Sequence, residues 1–139
     1  MPLMVWNDQL SVGIAAMDEE HKQLIRFLNE LYDSVLVDAS GESTDTLFKR
    51  LVTCNSEHFA HEEHLLTESG YPDMLAHKAE HDQISRWGIE AELDYHQGKL
   101  SVPPSELLRQ FGEMLQEHIQ GADRRMGEFL KQKEAEQRH

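Results

Sequence analysis

The chain has 139 residues, a formal net charge of −13, 39% hydrophobic residues and a mean hydropathy of −0.62. This balance predicts one domain with a real core, and no apolar run reaches the roughly 18 residues that a membrane span needs. The acidic charge disfavours nucleic acid or an anionic membrane as partner, because both repel an acidic protein. The single cysteine, Cys54, excludes an internal disulfide and predicts a cytoplasmic location.

The first predicted helix follows an N-terminal stretch, residues 1–17, that lacks helical spacing and is interpreted as an irregular arm laid over the core. Asp18 is placed to cap this helix, and acidic residues behind it suit the positive end of the helix dipole. The inward residues recur at three- and four-residue steps, and residues 38–43 form a turn-like end. The stripe consists of His21, Leu24, Ile25, Leu28, Leu31, Tyr32 and Val35.

The second helix is predicted from Thr44 to just before Gly70. Its stripe is Leu47, Leu51, Cys54, His58, Glu62, Leu65 and Leu66. Glu62 is the anomaly on this stripe, because an unpaired buried carboxylate is very unfavourable unless a metal or another cation compensates it. His61, Glu63 and His64 fall off the stripe or at its margin and are predicted to lie at the surface.

The third helix is predicted to follow a break at residues 71–73, where Asp73 caps it, and to end at Gly98, a favoured residue after a helix C-terminus. Its inner row is His77, His81, Ile84, Gly88, Ala91 and Tyr95. His77 and His81 stand four residues apart, as His58 and Glu62 do on the second helix, so each pair points to one side of its helix.

The fourth helix is predicted to begin within residues 101–105, because proline is tolerated in a first turn, and to end in a polar, fraying tail at 131–139. Its stripe is Leu107, Leu108, Phe111, Leu115, His118, Ala122, Met126 and Leu130. His118 and Asp123 are five residues apart, which on a regular helix separates them by roughly 140°. For both to reach one site, Asp123 must lean inward or the helix must widen locally into a π-type turn, and Gly121 would ease either change.

Four long helices with short connections predict an all-α fold, an up-down-up-down antiparallel four-helix bundle with an irregular N-terminal arm. We interpret residues 1–139 as a single domain, with the arm at 1–17, the bundle at 18–130 and the tail at 131–139. We expect a monomer.

Five histidines and two acidic residues fall on inward positions of all four helices: His21, His58, Glu62, His77, His81, His118 and Asp123. Core packing explains such a set poorly, because a small bundle would have to bury these polar groups and satisfy them among themselves. The set also overfills a tetrahedral zinc site. Two six-coordinate metals accommodate five imidazoles, two bridging carboxylates and a bridging solvent oxygen, with one position left.

Helical spacing pairs two of the imidazoles, and the ligand count suggests how the others are divided between the two metals. His77 and His81 can share one metal, which His118 completes. The other metal keeps His21 and His58 together with the remaining position, where a small ligand would bind.

These motifs resemble those of the hemerythrin family in its bacterial single-domain form, and the resemblance covers nearly the whole chain. It rests on the sequences DEEHK at 18–22, HFAHEE at 58–63, GYPDMLAHKAEH at 70–81 and HIQGAD at 118–123. Glu20 departs from the family pattern, which commonly has glutamine there. We expect that its charge lies beside His21.

The resemblance implies two non-haem iron ions per chain, bridged by Glu62, Asp123 and an oxo or hydroxo group. It also implies reversible dioxygen binding for storage, delivery or sensing, and no enzymatic activity. A carrier needs a small, dry site, and the apolar residues one turn from the ligands are candidates to seal it, namely Leu24, Ile25 and Cys54.

Other functions stay open at this point. A di-iron enzyme could act on peroxide, nitric oxide or another small oxidant, although oxygen-activating bundles typically use Glu-x-x-His pairs and are richer in carboxylates than this chain. A signalling or delivery role would require a protein partner that receives O2 or a redox signal. Iron storage fits poorly with a closed site that has one open position.

Overall fold

Helices account for most of the structure, a computed structural model that describes residues 2–37 and 42–137. The elements are a short 3₁₀ helix at Asp8–Leu10, α1 at Ala15–Val37, α2 at Glu42–Ser69, α3 at Met74–Gln97, α4 at Pro104–His118, a π-helical segment at Ile119–Asp123, and α5 at Arg124–Gln137. The π-helical segment joins α4 and α5 into one long helix. Residues 38–41 of the turn predicted at 38–43 lie outside the described residues. Positions 42 and 43 already belong to α2.

The helices pack in a closed ring, in which α1 lies against α2 and α4, and α3 lies against α2 and α4. Short connections between successive helices make neighbours antiparallel, so the predicted up-down-up-down four-helix bundle is confirmed. None of the helices in the described part of the chain is long and apolar enough to cross a membrane.

The start of α1 differs from its prediction, because the helix begins at Ala15, three residues before Asp18. Asp18 therefore lies in the first turn and does not cap the helix. Its carboxylate accepts hydrogen bonds from the Ser11 hydroxyl at 2.6 Å and from the Val12 backbone N–H at 2.9 Å. These bonds tie the arm to α1. The predicted stripe of α1 is buried throughout, from His21 to Val35.

The inner face of α2 is shifted from its predicted register in several turns. Phe48, Asn55 and Phe59 are buried, whereas Cys54 and Leu65 are only half-buried. Residues spaced three and four apart can be assigned to either of two adjacent columns along a helix, so the spacing does not decide which column faces inward. In the structure, the column with Phe48 and Phe59 faces the core.

Both ends of α3 and the start of α4 agree with their predictions. Gly98 ends α3 in the left-handed conformation with φ of 67°, and Pro104 lies in the first turn of α4. Asp73 precedes α3, but its side chain makes no capping hydrogen bond. α5 extends into the polar segment predicted to fray and continues to Gln137 with exposed side chains, so fraying there stays a prediction. The division into an arm, a bundle and a tail stays an interpretation.

Candidate metal centre

All seven candidate ligands lie in the interior of the bundle, and none is more than 3% exposed. α1 contributes His21, α2 contributes His58 and Glu62, α3 contributes His77 and His81, and the long fourth helix contributes His118 and Asp123. The structure thus brings together every side chain that the spacing indicated. That these side chains bind metal stays a prediction.

Asp123 reaches this group because the helix widens between it and His118. The π-helical segment Ile119–Asp123 adds one residue to a turn, which turns a five-residue step into a step that keeps both side chains on the inner face. Of the two arrangements that the sequence left open, the structure contains the widened helix.

Glu62 divides its two carboxylate oxygens between two sets of imidazoles. Oε1 lies 2.6 Å from His77 Nε2 and 3.1 Å from His81 Nε2. Oε2 lies 2.6 Å from His58 Nε2 and 3.7 Å from His21 Nε2. The carboxylate therefore stands between the two sets, as a bridging ligand would.

Asp123 is divided in the same way. Its Oδ1 lies 3.2 Å from His77 Nε2 and 3.0 Å from His118 Nε2, and its Oδ2 lies 3.1 Å from His21 Nε2. Two donor groups result, and within each the ligand atoms all lie within 4.8 Å of one another. One consists of His77, His81, His118 and the two carboxylates, and the other of His21, His58 and the same carboxylates.

Several of these buried atoms make no hydrogen bond in the described structure. They are both ring nitrogens of His21, Nε2 of His58, Oε2 of Glu62 and both oxygens of Asp123. Buried polar atoms without partners are rare in folded proteins, because each one carries the full penalty of desolvation. Nitrogen and oxygen atoms that converge without pairing to one another fit the coordination of cations, and five imidazoles with two carboxylates suit iron.

Burial and the neighbouring charges act in opposite directions on these groups. Burial by itself lowers the pKa of His21 and of His77, but the close carboxylates of Asp123 and Glu62 outweigh it and raise both pKa values to about 9. Burial and the Glu62 charge raise the pKa of Asp123, but His118, His21 and His77 together lower it to about 2. The carboxylates are therefore ionised near neutral pH and supply the negative charge that a cation would neutralise.

Outer carboxylates contact three of the five imidazoles on their far nitrogen. His58 Nδ1 lies 2.8 Å from Glu20, His81 Nδ1 lies 3.0 Å from Glu63, and His118 Nδ1 lies 3.2 Å from Glu80. Sequence reasoning placed Glu63 at the surface and did not mention Glu80. Both stand one residue from an inward position, which was the signal available in the sequence.

Glu20 and the two additional histidines on α2 also have defined positions. The side chain of Glu20 contacts His58, not His21, so the expectation that its charge lies beside His21 is corrected. His61 and His64 are exposed, as predicted, with 43% and 68% of their side chains accessible. His61 nevertheless contacts Glu20 at 2.6 Å.

The apolar surroundings agree only in part with the predicted seal. Leu24 and Ile25 are buried one turn from His21, whereas Cys54 is half-exposed and is not part of a closed wall. Phe59, which the sequence stripe omitted, stacks on the His81 ring with centroids 3.8 Å apart and an interplanar angle of 7°. Phe59 therefore packs directly against one of the candidate ligands.

A four-helix bundle with two overlapping, buried groups of imidazoles and carboxylates belongs to the class of helical cation-binding domains. Comparison with known proteins identifies that class. A sequence profile described as the hemerythrin HHE cation binding domain matches residues 12–130, so the chain belongs to the hemerythrin family. Its buried His/Glu/Asp cluster is consistent with a di-iron site.

Individual relatives agree with this assignment. Bacteriohemerythrin of Stenotrophomonas maltophilia is 34% identical over 134 residues, which cover 94% of this chain and 84% of the relative. Bacteriohemerythrin of Methylococcus capsulatus is 28% identical over 94% of this chain and 98% of the relative. The crystal structure of a wild-type hemerythrin superposes with a TM-score of 0.83 at 27% identity, covering 92% of this chain and 98% of that one.

Proposed function

We propose that this protein binds dioxygen reversibly at a non-haem di-iron centre held by His21, His58, Glu62, His77, His81, His118 and Asp123. One observation carries the proposal: each carboxylate directs one oxygen toward each set of imidazoles. Two bound ferrous ions would supply the two electrons that dioxygen binding requires. The bacteriohemerythrin relatives support the proposal by family.

The asymmetry of the donor set indicates where a small ligand would bind. One group contains three imidazoles and the other contains two, while both share the same carboxylates. The group with His21 and His58 therefore offers one protein ligand fewer. His21 lies on α1 and His58 on α2, and the buried side chains of Leu24 and Ile25 lie one turn from His21.

The described residues favour a carrier over an enzyme. Glu20, Glu63 and Glu80 meet the outer edges of imidazoles, and Glu62 and Asp123 face their inner nitrogens. Each of these acidic groups already has an imidazole neighbour, whereas a general acid acting on bound oxygen must be within hydrogen-bond reach of it. A cytoplasmic location and a protein partner that receives O2 or a redox signal stay predictions.

The test is an anaerobic oxygen titration of iron-loaded, chemically reduced protein. We expect two irons per chain, uptake of one O2 per pair of irons, and release of that O2 under argon. Visible absorption monitors both the uptake and the release. Zinc-loaded protein is the control, because zinc has no electrons to donate and should take up none. Oxygen consumption with release of peroxide, or turnover of a reductant with peroxide or nitric oxide, would support the enzyme alternative.

A further inference from the structure

A chain of close contacts runs from the protein surface to the candidate metal centre through Glu20. The exposed His61 places its Nδ1 2.6 Å from Glu20 Oε2, and the other oxygen, Oε1, lies 2.8 Å from Nδ1 of His58. His58 in turn directs Nε2 toward Glu62 at 2.6 Å. The exposed fraction falls along this path from 43% for the His61 side chain to 29% for Glu20 and 2% for His58.

The chemistry of a carboxylate determines which nitrogen of His58 carries hydrogen. An ionised carboxylate only accepts hydrogen bonds, so Nδ1 of His58 is the donor to Glu20. A neutral imidazole with hydrogen on Nδ1 presents a lone pair on Nε2, which is the form that binds a cation. The contact with Glu20 therefore selects the ligating tautomer of His58 and sets the rotation of its ring.

The two sides of the metal centre depend unequally on such outer carboxylates. On the three-imidazole side, His81 and His118 each meet one, Glu63 and Glu80. On the two-imidazole side, Glu20 meets His58, whereas Nδ1 of His21 is buried without a hydrogen bond. Loss of Glu20 would thus leave neither imidazole of that side with an outer carboxylate.

His61 contacts the oxygen of Glu20 that His58 leaves free. Glu20 lies on α1 and is partly exposed, so water competes for its oxygens. His58 and His61 stand three residues apart on α2, and they hold the two oxygens of the same carboxylate from one face of that helix. Because His61 needs only hydrogen on Nδ1 to donate this bond, its neutral form is sufficient.

We propose that Glu20 is a positioning residue for the His58 side of the metal centre, and that His61 holds Glu20 in place. This inference rests on the proposed function only in that the seven buried side chains bind two metal ions.

The test measures metal affinity and the state of the His58 imidazole in four variants: Glu20→Ala, Glu20→Gln, His61→Ala and His64→Ala. His64 is the matched control, because it lies on α2, is exposed and pairs only with the exposed Glu68 in the described structure. Competition with a chelator under anaerobic conditions gives the two Fe(II) dissociation constants. Far-ultraviolet circular dichroism checks that the metal-free variants are folded.

We expect Glu20→Ala to weaken one of the two Fe(II) binding steps by about 10- to 100-fold and to leave the other unchanged. Glu20→Gln should stay within about threefold of wild type, because its amide oxygen still accepts from His58. His61→Ala should weaken the same step less than Glu20→Ala does, and His64→Ala should have no effect.

Zinc-loaded protein gives a second measurement, the NMR signal of the His58 imidazole, which would not change if Glu20 had a purely structural role. The Nδ1 hydrogen of His58 should exchange slowly and give an imidazole NMR signal in wild type and in Glu20→Gln, and the signal should be lost in Glu20→Ala. Unchanged affinity and an unchanged signal in Glu20→Ala would overturn the inference alone. Wild-type protein that binds fewer than two Fe(II) ions would overturn the proposed function and this inference with it.

Discussion

Glu62 lies at the centre of the candidate metal centre. It is fully buried, and four imidazoles face its two oxygens. Burial opposes the ionised form of Glu62, but the surrounding imidazoles of His21, His58, His77 and His81 outweigh burial and hold its pKa well below the usual range. Removing a buried anion of this kind destabilises the fold, because its imidazole partners stay buried without the opposite charge.

Replacing Glu62 with Ala should therefore abolish binding of two irons and destabilise the metal-free protein by about 3–5 kcal/mol. Metal analysis measures the first effect and urea denaturation the second. Glu68→Ala on the same helix is the control, because Glu68 is 65% exposed and pairs with the exposed His64. Two irons retained in Glu62→Ala would contradict the assignment of Glu62 as a bridge.

At the scale of single elements, the two glycines of the long fourth helix have different surroundings. A Cβ added at Gly121, inside the π-helical segment, would approach nothing closer than the Arg125 guanidinium at 3.8 Å. A Cβ added at Gly127 would lie 2.9 Å from the Val12 carbonyl carbon and closer still to its oxygen. Gly127 thus lets the N-terminal arm lie directly on α5, where the Arg124 guanidinium also donates to the Gln9 carbonyl.

Gly121→Ala should leave the free energy of unfolding within about 1 kcal/mol of wild type, with helix propensity favouring the change. Gly127→Ala should lower it by about 1–3 kcal/mol, because the backbone of the arm has to move away. Urea denaturation of the two variants side by side makes the comparison. Equal losses in both would show that the π-helical segment itself requires glycine.

At the scale of the whole molecule, the candidate metal centre draws side chains from all the long helices of the bundle. α1, α2, α3 and the long fourth helix each contribute at least one of its side chains. Ions held there would cross-link segments that are far apart in the chain, and binding to the folded state alone stabilises that state.

Removal of metal should therefore lower the midpoint of thermal unfolding by about 10 °C or more while leaving the helices folded at low temperature. Differential scanning calorimetry before and after treatment with a chelator measures this shift. Glu62→Ala is the control, and it should show no response to the chelator. A wild-type midpoint that ignores the chelator would argue against a metal that binds all four helices.

Local spacing determined much of the fold in advance. The stripes of α1 and of the long fourth helix, the end of α3 at Gly98 and the proline start of α4 follow from propensities within a few residues. The angular position of a side chain around its own helix is also local. The four-residue spacing therefore indicated that His58 and Glu62 share one face of their helix and that His77 and His81 share one face of theirs.

Only the tertiary structure decided how the helices meet. The choice between a leaning Asp123 and a widened helix, and the face that α2 turns inward at Phe48 and Phe59, depend on packing against other helices. The contacts of Glu20 with His58 and His61 depend on the axial shift and rotation of α1 relative to α2. Sequence periodicity describes a helix about its own axis and contains no information on that relative placement, which the sum of many weak contacts across the core determines.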